Sequence, residues 1–287
     1  MRCATAAWSM MVDMVDMPGA SDVFSSDPEV LERAVVHARG VLRELKAQRT
    51  ADADERRAEA LWKLGEALFK LRRYSEALGP LEEAEHAAAL LPEWETIWAR
   101  SRTLRAGVLV VLKRWAEVVE LTGELIRVGD SLNDPYFVQA GLRARLLALK
   151  ALGRWRDAAE AASVLREELP AEHTPWTREH LREALLIQAW AAQRAGNPES
   201  GLPLADEAIT LAVEEQDREP LYLALVQRAE LLYAAGRGAE ARETLQKVID
   251  TFRNGPEDFA MGAVATARGR KLRMRLQPRR RRTPRSR

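Results

Sequence analysis

An eight-residue pattern recurs about every forty residues along this 287-residue chain. It is clearest as LRRYSEAL, LKRWAEVV and LGRWRDAA, and two weaker copies read AGNPESGL and AGRGAEAR. The fourth residues of the copies lie at positions 74, 115, 155, 198 and 238, so the steps are 41, 40, 43 and 40 residues. A nearly constant step of this size indicates a stack of similar supersecondary units and not one closed globule.

The residues around each copy indicate a turn between two helices. Apolar residues at positions 61, 64, 68 and 71 have helical spacing and run up to the first residue of the first copy. Small or apolar residues at 77, 81 and 84 continue from its end. No run of alternating apolar and polar residues is long enough to predict a strand. We therefore predict an all-α fold with a leading helix near 28–49, five helix-turn-helix pairs from about 55 to 253, and a final helix near 257–276.

Prolines mark four of the predicted helix starts. At the first position of a helix the N–H that proline lacks has no intrahelical partner to lose. The prolines that follow Asp, Thr or Glu in this way are Pro28, Pro135, Pro175 and Pro220. Ser26 and Glu29 have the spacing of a capping box around the first of them.

The net charge of +1 conceals a strong asymmetry. Of the 44 basic residues, eleven lie between Arg268 and Arg287 with no acid among them, which leaves 33 basic residues against 43 acidic ones in residues 1–267. The predicted helical body is therefore acidic and carries a basic tail. The longest apolar run, Ala106–Leu112, is far too short to span a bilayer.

The two ends of the chain differ from the repeats. Residues 1–26 contain five methionines but no continuous apolar core, which favours a disordered leader over a secretory signal, and a start codon assigned too far upstream would look the same. The predicted organisation is a leader over 1–26, a leading helix and linker over 27–54, repeats over 55–253, a capping helix over 254–276 and a disordered basic tail over 277–287.

The side chains at fixed positions of each pair resemble those of the tetratricopeptide repeat family, in its longer-spaced bacterial type of about 40 residues. That family favours a small residue at position 8, an aromatic residue at position 17 and a small residue at position 20. In the first repeat these positions hold Gly65, Tyr74 and Ala77. The match is strong in the first repeat, fair in the third and degenerate in the last two, and it implies an α-solenoid of five repeats.

The resemblance also implies a concave groove lined by the first helix of each pair. The partner-binding groove residues that it points to are Trp62, Lys63, Phe69, Lys70, Arg100, Arg143, Leu147, Lys150, Leu186, Trp190, Arg194, Tyr222 and Tyr233. Basic groove positions slightly outnumber acidic ones, so an apolar or acidic partner segment suits the groove better than a basic one. Large aromatic side chains are the expected anchors, because such residues dominate contact energies.

Two further patterns refine this expectation. Family members that clamp a peptide place asparagine on the first helix, whereas Asn133, Asn197 and Asn254 are all predicted to lie in turns. The seventh position of the first helix is Arg105, Arg145, Gln188 and Arg228 in repeats two to five. These arginines either form a ladder for carboxylates of a partner or pair with acids on neighbouring helices, and we favour internal pairing.

No catalytic constellation is evident. His173 and His180 lie near several glutamates, but their spacing fits no metal-ligand motif, so we expect linker or surface histidines. Cys3 is the only cysteine, and no phosphate-binding glycine motif occurs. We predict no metal and no cofactor.

The sequence therefore predicts a cytoplasmic, non-enzymatic scaffold or adaptor that binds a protein partner. Two alternatives stay open. The arginine-rich end, above all 279–287, could bind nucleic acid or an anionic membrane surface, although it lacks aromatic residues for base stacking. The chain could also be the sensor fragment of a larger transcriptional regulator.

Overall fold

The computed structural model describes residues 27–91, 95–170, 174–214 and 218–253, together with Leu272. Within these residues the chain forms eleven α-helices and no strand, which confirms the predicted all-α solenoid fold. The predicted leader and tail lie outside the described residues. The predicted capping helix lies outside them too, except for Leu272, which is helical and buried in the core of the C-terminal unit.

The helices belong to two compact units divided between Arg154 and Trp155. Unit 1 contains α1 (Pro28–Glu44), a 3-10 turn (Leu45–Ala47), α2 (Ala51–Lys70), α3 (Tyr74–Ala88), α4 (Glu95–Val111), α5 (Trp115–Leu132) and α6 (Pro135–Ala151). Unit 2 contains α7 (Trp155–Glu168), α8 (Pro175–Arg194), α9 (Pro198–Glu214), α10 (Arg218–Ala234) and α11 (Gly238–Arg253). The third predicted pair therefore has its first helix in unit 1 and its second in unit 2.

Side-chain caps explain where three helices begin. Asp27, Asp134 and Thr174 each accept a hydrogen bond from a backbone N–H of the first turn, at 2.9, 3.0 and 3.2 Å, and each precedes a proline at the first helical position. Two sequence predictions are wrong. The cap of α1 is Asp27 and not Ser26, and Pro220 is the third residue of α10, where a proline still removes no helical hydrogen bond.

Every copy of the octet ends a helix with a left-handed residue. The second octet residue has a positive φ in all five copies, and the amide of the third bonds to the carbonyl five residues earlier, as in a Schellman motif. The left-handed residues are Arg72 (60°), Lys113 (59°), Gly153 (71°), Gly196 (79°) and Gly236 (79°). The octet is therefore a helix C-terminus followed by the first turn of the next helix.

Small residues lie where the two helices of a pair approach most closely. A Cβ on Gly65 of α2 would lie 2.5 Å from the Leu81 side chain of α3. In the fourth pair, a Cβ on Gly201 would lie 3.0 Å from the carbonyl oxygen of Ala189. These are positions 8 and 20 of the repeat, so the close approach of the helices explains their small side chains.

The aromatic residue at position 17 packs on first helices. The Tyr74 ring lies edge-on to Phe69 at 5.5 Å, and the Trp155 ring lies edge-on to Trp190 of the next repeat at 6.1 Å. In the two copies without an aromatic residue, Pro198 and Gly238 are the first residues of α9 and α11.

Candidate functional site

The first helices of three successive pairs, α2, α4 and α6, bring their charged residues together in unit 1. We call this group the polar cluster; its members are Trp62, Lys63, Glu66, Lys70, Arg100, Tyr136 and Arg143. Lys70 Nζ lies 3.1 Å from Glu66 Oε1, and the charges of Lys63 and Arg100 also act on the Glu66 carboxyl. Arg143, Glu66 and Arg100 act in turn on the Tyr136 hydroxyl. Asp134, which caps α6, also acts on Tyr136, so four cations and two carboxylates share one neighbourhood.

Glu66 is the buried acid of the polar cluster. Its side chain is only 3% exposed, and burial raises the pKa of its carboxyl because the charged form loses hydration, while Lys70 opposes that rise. Its Oε2 has no hydrogen-bond partner among the described residues. Burial also raises the pKa of Tyr136 to about 12, so this phenol stays neutral at physiological pH.

Trp62 lies beneath Arg100. The guanidinium carbon of Arg100 is 5.4 Å from the centre of the indole, within the range of a cation–π contact. Trp62 is only 7% exposed, and its Nε1 has no hydrogen-bond partner in the part of the chain that the structure describes. The tryptophan predicted to anchor a partner is therefore part of the packing between α2 and α4.

The other predicted groove residues differ widely in exposure. Trp62, Phe69, Arg143, Leu186 and Tyr222 are buried. Five more are partly buried: Lys70, Arg100, Leu147, Lys150 and Trp190. Three are exposed: Lys63, Arg194 and Tyr233. Three of the aromatic residues predicted to be anchors thus offer little surface, and Trp190 and Tyr233 are the ones that solvent reaches.

The recurring arginines pair within the protein, as the favoured interpretation predicted. In unit 1, Arg105 of α4 donates to Glu82 and Glu85 of α3, both at 3.1 Å. Arg145 of α6 donates to the backbone carbonyl of Val119 in α5 at 2.8 Å, and not to an acid. Each of these bonds joins a first helix to the second helix of the preceding pair.

The same connection recurs in unit 2. Gln188 of α8 accepts a hydrogen bond from Arg166 of α7 at 2.9 Å. Arg228 of α10 donates to Asp206 of α9 at 2.5 Å and to Thr244 of α11 at 3.1 Å. Position 7 therefore links successive repeats to one another, and its arginines are already engaged.

His180 is the histidine that the sequence analysis misplaced. Its side chain is 2% exposed in the second turn of α8, so it is neither a linker nor a surface residue. The helix start predicted at Pro175 is correct, and His180 lies on a packed face of that helix, which its position near the linker did not indicate. His173 lies outside the described residues, and no group of three or more potential metal ligands occurs among those that are described.

The predicted turn positions of two asparagines are confirmed. Asn133 is the left-handed C-cap of α5, with a φ of 51°, and Asn197 lies in the turn before α9. Asn254 lies outside the described residues. First helices therefore carry no asparagine that could hold a peptide backbone within the described repeats.

Unit 2 contains an open cleft between α7 and α8 that the sequence analysis did not identify. Its volume is about 660 Å³, and one wall is the Trp155 indole. The Arg194 guanidinium lies over that indole, 5.3 Å from its centre. Two predicted groove residues, Trp190 and Arg194, thus meet at Trp155, the position-17 aromatic residue of the third repeat.

No helix among the described residues combines the length and apolarity needed to cross a bilayer.

Residues 223–255 match the family model described as a tetratricopeptide repeat. This match covers most of α10 and all of α11, so the expectation that the fifth copy is degenerate is wrong. The octet lost its aromatic residue there, but Ala229 and Ala241, at positions 8 and 20, are fully buried. The resemblance to the tetratricopeptide repeat family is confirmed.

Three solved structures show the same fold. The apo form of RapI has a TM-score of 0.58 at 13% identity, over 87% of this chain and 93% of that chain. BtubC (BKLC) from P. vanneervenii has a TM-score of 0.53 at 14% identity, over 88% of this chain and 96% of that chain. A putative kinesin light chain of Podosopora anserina with TPR-like repeats has a TM-score of 0.52 at 16% identity, over 78% of this chain and 98% of that chain. No curated protein sequence matches this chain.

Proposed function

We propose that this tetratricopeptide-repeat protein is a non-enzymatic, cytoplasmic scaffold whose polar cluster in unit 1 binds an acidic segment of a partner protein. The observation that carries the proposal is the gathering of Lys63, Lys70 and Arg100 around the buried carboxylate of Glu66, with Arg143 acting on the neighbouring Tyr136. Glu59 pairs with Lys63 at 2.8 Å at the edge of the cluster and Asp134 acts on Tyr136, so the four cations exceed the three carboxylates by one charge. The fold supports a binding role, because helical repeats present extended surfaces to partners.

Exposure determines which residues make the contact. Lys63 is the most accessible cation, and Lys70 and Arg100 are partly exposed, so these three present their charges to an incoming carboxylate. Leu147 and Lys150 of α6 extend the surface. In unit 2, Trp190, Arg194 and Tyr233 are the accessible members of the groove set. The remaining groove residues Trp62 and Phe69 of unit 1, and Leu186 and Tyr222 of unit 2, are buried within their own units.

The test is capture of a partner by the full chain with the charge of the polar cluster reversed. We expect Lys63→Glu/Arg100→Glu to lose most of the partners that the wild-type chain retains from an extract, as identified by mass spectrometry. The matched control Arg56→Glu/Lys247→Glu makes the same change of net charge at two exposed helical sites outside the cluster. It should retain them.

Two measurements make the result decisive. Thermal unfolding by circular dichroism establishes that both variants are folded. A peptide array then compares acidic–apolar with basic–apolar segments, and the wild-type chain should prefer the acidic ones. Equal capture by the cluster variant and its control, or a preference for basic peptides, would contradict the proposal.

A second candidate function rests on the eleven basic residues of 268–287. We propose that this tail binds nucleic acid, and that the affinity falls steeply with salt as counterions are released. Comparing the full chain with residues 1–278 across a salt series tests it, because this deletion removes six arginines and keeps the buried Leu272. Binding to duplex DNA that survives the deletion would assign the activity to the residues before 279 and not to the end of the tail.

A further inference from the structure

The cleft of unit 2 lies where the fourth repeat lacks bulk. Position 11 of the first helix is a fully buried leucine in repeats one, two, three and five: Leu68, Leu109, Leu149 and Leu232. In the fourth repeat this position is Ala192, which is partly exposed and lines the cleft.

The residue on the opposite side of the cleft also has a small side chain. Position 21 of the second helix is Leu78, Val119 and Leu202 in repeats one, two and four, but Ala159 in the third. Ala159 of α7 faces the cleft together with Ala192 of α8. In unit 1, Leu78 and Leu109 belong to one apolar core at the equivalent junction. Two missing side chains at one junction therefore leave space that the other repeats fill.

The lining combines an apolar floor with a basic rim. Trp155, Ala195 and Leu204 complete the apolar surface. Arg156, Arg166 and Arg194 stand around it, while Glu160 lines the cleft and Glu207 pairs with Arg166, so the rim has an excess of one positive charge. A volume of about 660 Å³ lies within the usual range for ligand sites, in which apolar walls and a few placed charges give affinity and orientation.

We propose that this cleft is a binding site for a large apolar side chain, aromatic or branched aliphatic, flanked by carboxylates in a partner peptide. The apolar group would fill the volume that the leucine at position 11 occupies in the other repeats, against the Trp155 indole. The carboxylates would meet Arg156 and Arg194 at the rim. Arg166 donates a hydrogen bond to Gln188 and pairs with Glu207 at 3.5 Å. Its contribution at the rim is therefore mainly its positive potential and not a hydrogen bond to the partner peptide.

The first experiment uses anilinonaphthalene sulfonate, an aromatic anion whose fluorescence rises in apolar sites, on the intact chain. We expect saturable binding to the wild type and its loss in Ala192→Leu, which restores the leucine of the other repeats. The matched control is Ala235→Leu. It restores a leucine found at position 14 in repeats one to three, but lies outside the cleft. This control should bind as the wild type does.

Charge is tested separately. Arg156 is 91% exposed and pairs only weakly with Glu160 at 3.4 Å, so Arg156→Gln should leave the fold intact. It should weaken dye binding by up to about fivefold, since an exposed charge pair contributes little. The peptide acetyl-Glu-Phe-Glu-amide should displace the dye, whereas acetyl-Lys-Phe-Lys-amide and acetyl-Glu-Ser-Glu-amide should not.

The outcomes separate this site from the polar cluster, since the variants lie in different units. Ala192→Leu should melt no lower than the wild type, because it fills a void, so loss of binding cannot be attributed to unfolding. Unchanged dye binding in Ala192→Leu, or equal displacement by the lysine peptide, would overturn the proposal. So would a dimer, detected by sedimentation, that Ala192→Leu dissociates, because the occupant would then be a second copy of this chain.

Discussion

Single residues at the octet turn carry a conformational requirement that differs between copies. Three copies hold glycine at the left-handed position, whereas the first two hold Arg72 and Lys113 with nearly the same φ. An L-residue with a side chain is strained there, because its Cβ approaches the following carbonyl. The turn is therefore under strain in repeats one and two and free of it in repeats three to five.

This difference gives the first prediction. A Cβ on Gly196 would meet no atom within 4 Å, so Gly196→Ala isolates the backbone effect, and we expect a loss of about 1–2 kcal/mol in the free energy of unfolding. Urea denaturation measures it. The control Gly79→Ala also meets no atom within 4 Å but lies inside α3, where alanine should gain about 0.5–1 kcal/mol. Changes of the same sign in both variants would contradict this assignment.

The third and sixth octet residues form an ion pair that predicts a pH dependence. Arg73 Nε and Nη2 donate to the Glu76 carboxylate at 2.7 and 2.6 Å, which lowers the pKa of that carboxyl. A lowered folded-state pKa stabilises the fold above the unfolded-state pKa, and this stabilisation is lost as the pH falls. Wild type should therefore be more stable than Glu76→Gln at neutral pH, and the two unfolding free energies should converge as the pH falls through the lowered folded-state pKa of Glu76. Parallel curves over that range would exclude this contribution.

At the scale of elements, buried charge joins successive helical pairs. Glu85 of α3 is 4% exposed, and its Oε2 lies 3.1 Å from both Arg102 and Arg105 of α4. Removing the acid would leave two partly buried guanidinium groups without their shared partner. Glu85 is thus the buried carboxylate that both arginines share at the junction between the first and second pairs, while Glu82 also pairs with Arg105 and Glu124 with Arg102.

We expect Glu85→Ala to lower the free energy of unfolding by about 3 kcal/mol, because it takes the shared carboxylate away from two partly buried charges. Glu82→Ala is the matched control. Glu82 is half-exposed and its carboxylate pairs with Arg105 at 3.1 Å, so its loss should cost less than about 1 kcal/mol. Chemical denaturation of the two variants measures the difference. Similar losses would mean that burial of Glu85 adds nothing.

The helices themselves could be predicted from the sequence because their signals are local. Proline after Asp or Thr located the starts of α1, α6 and α8, and internal pairing of the position-7 arginines followed from the rule that buried charge is paired. The glycines in the last three octets also carried the signal for a left-handed residue, which the sequence analysis did not use.

The position of a residue within its repeat does not determine which residues of other helices cover it. The candidate sites depend on those covering residues. Trp62 occupies a groove position, but Arg100 of the next first helix covers it, so a residue 38 positions away decides its exposure. The cleft at Ala192 could have been found by aligning position 11 across all five repeats, since only one copy lacks leucine. Its open volume also requires Ala159 on another helix. That Ala159 faces Ala192 is a feature of the tertiary structure, which the repeat pattern does not specify.

At the scale of the whole molecule, the contacts within each unit are almost all between elements near in sequence. The described helices of a unit pack mainly on those that precede and follow them, and stability in such a chain is a sum of repeat and nearest-neighbour contributions. A local defect should therefore spread only a short distance along the chain. The alternative is a single cooperative transition, in which every helix loses stability together.

Hydrogen exchange of the intact Glu85→Ala variant distinguishes these two cases. We expect faster amide exchange in α3 and α4 and in the helices packed on them, with α10 and α11 close to their wild-type rates. Gly201→Ala provides the reciprocal control in unit 2, since its added Cβ would lie 2.8 Å from Leu231, and it should accelerate exchange in α9 and α10 but not in α2. A uniform increase along the chain in either variant would show that the repeats unfold as one body. In that case the polar cluster and the cleft would be coupled through stability, and a ligand bound at one would protect amides at the other.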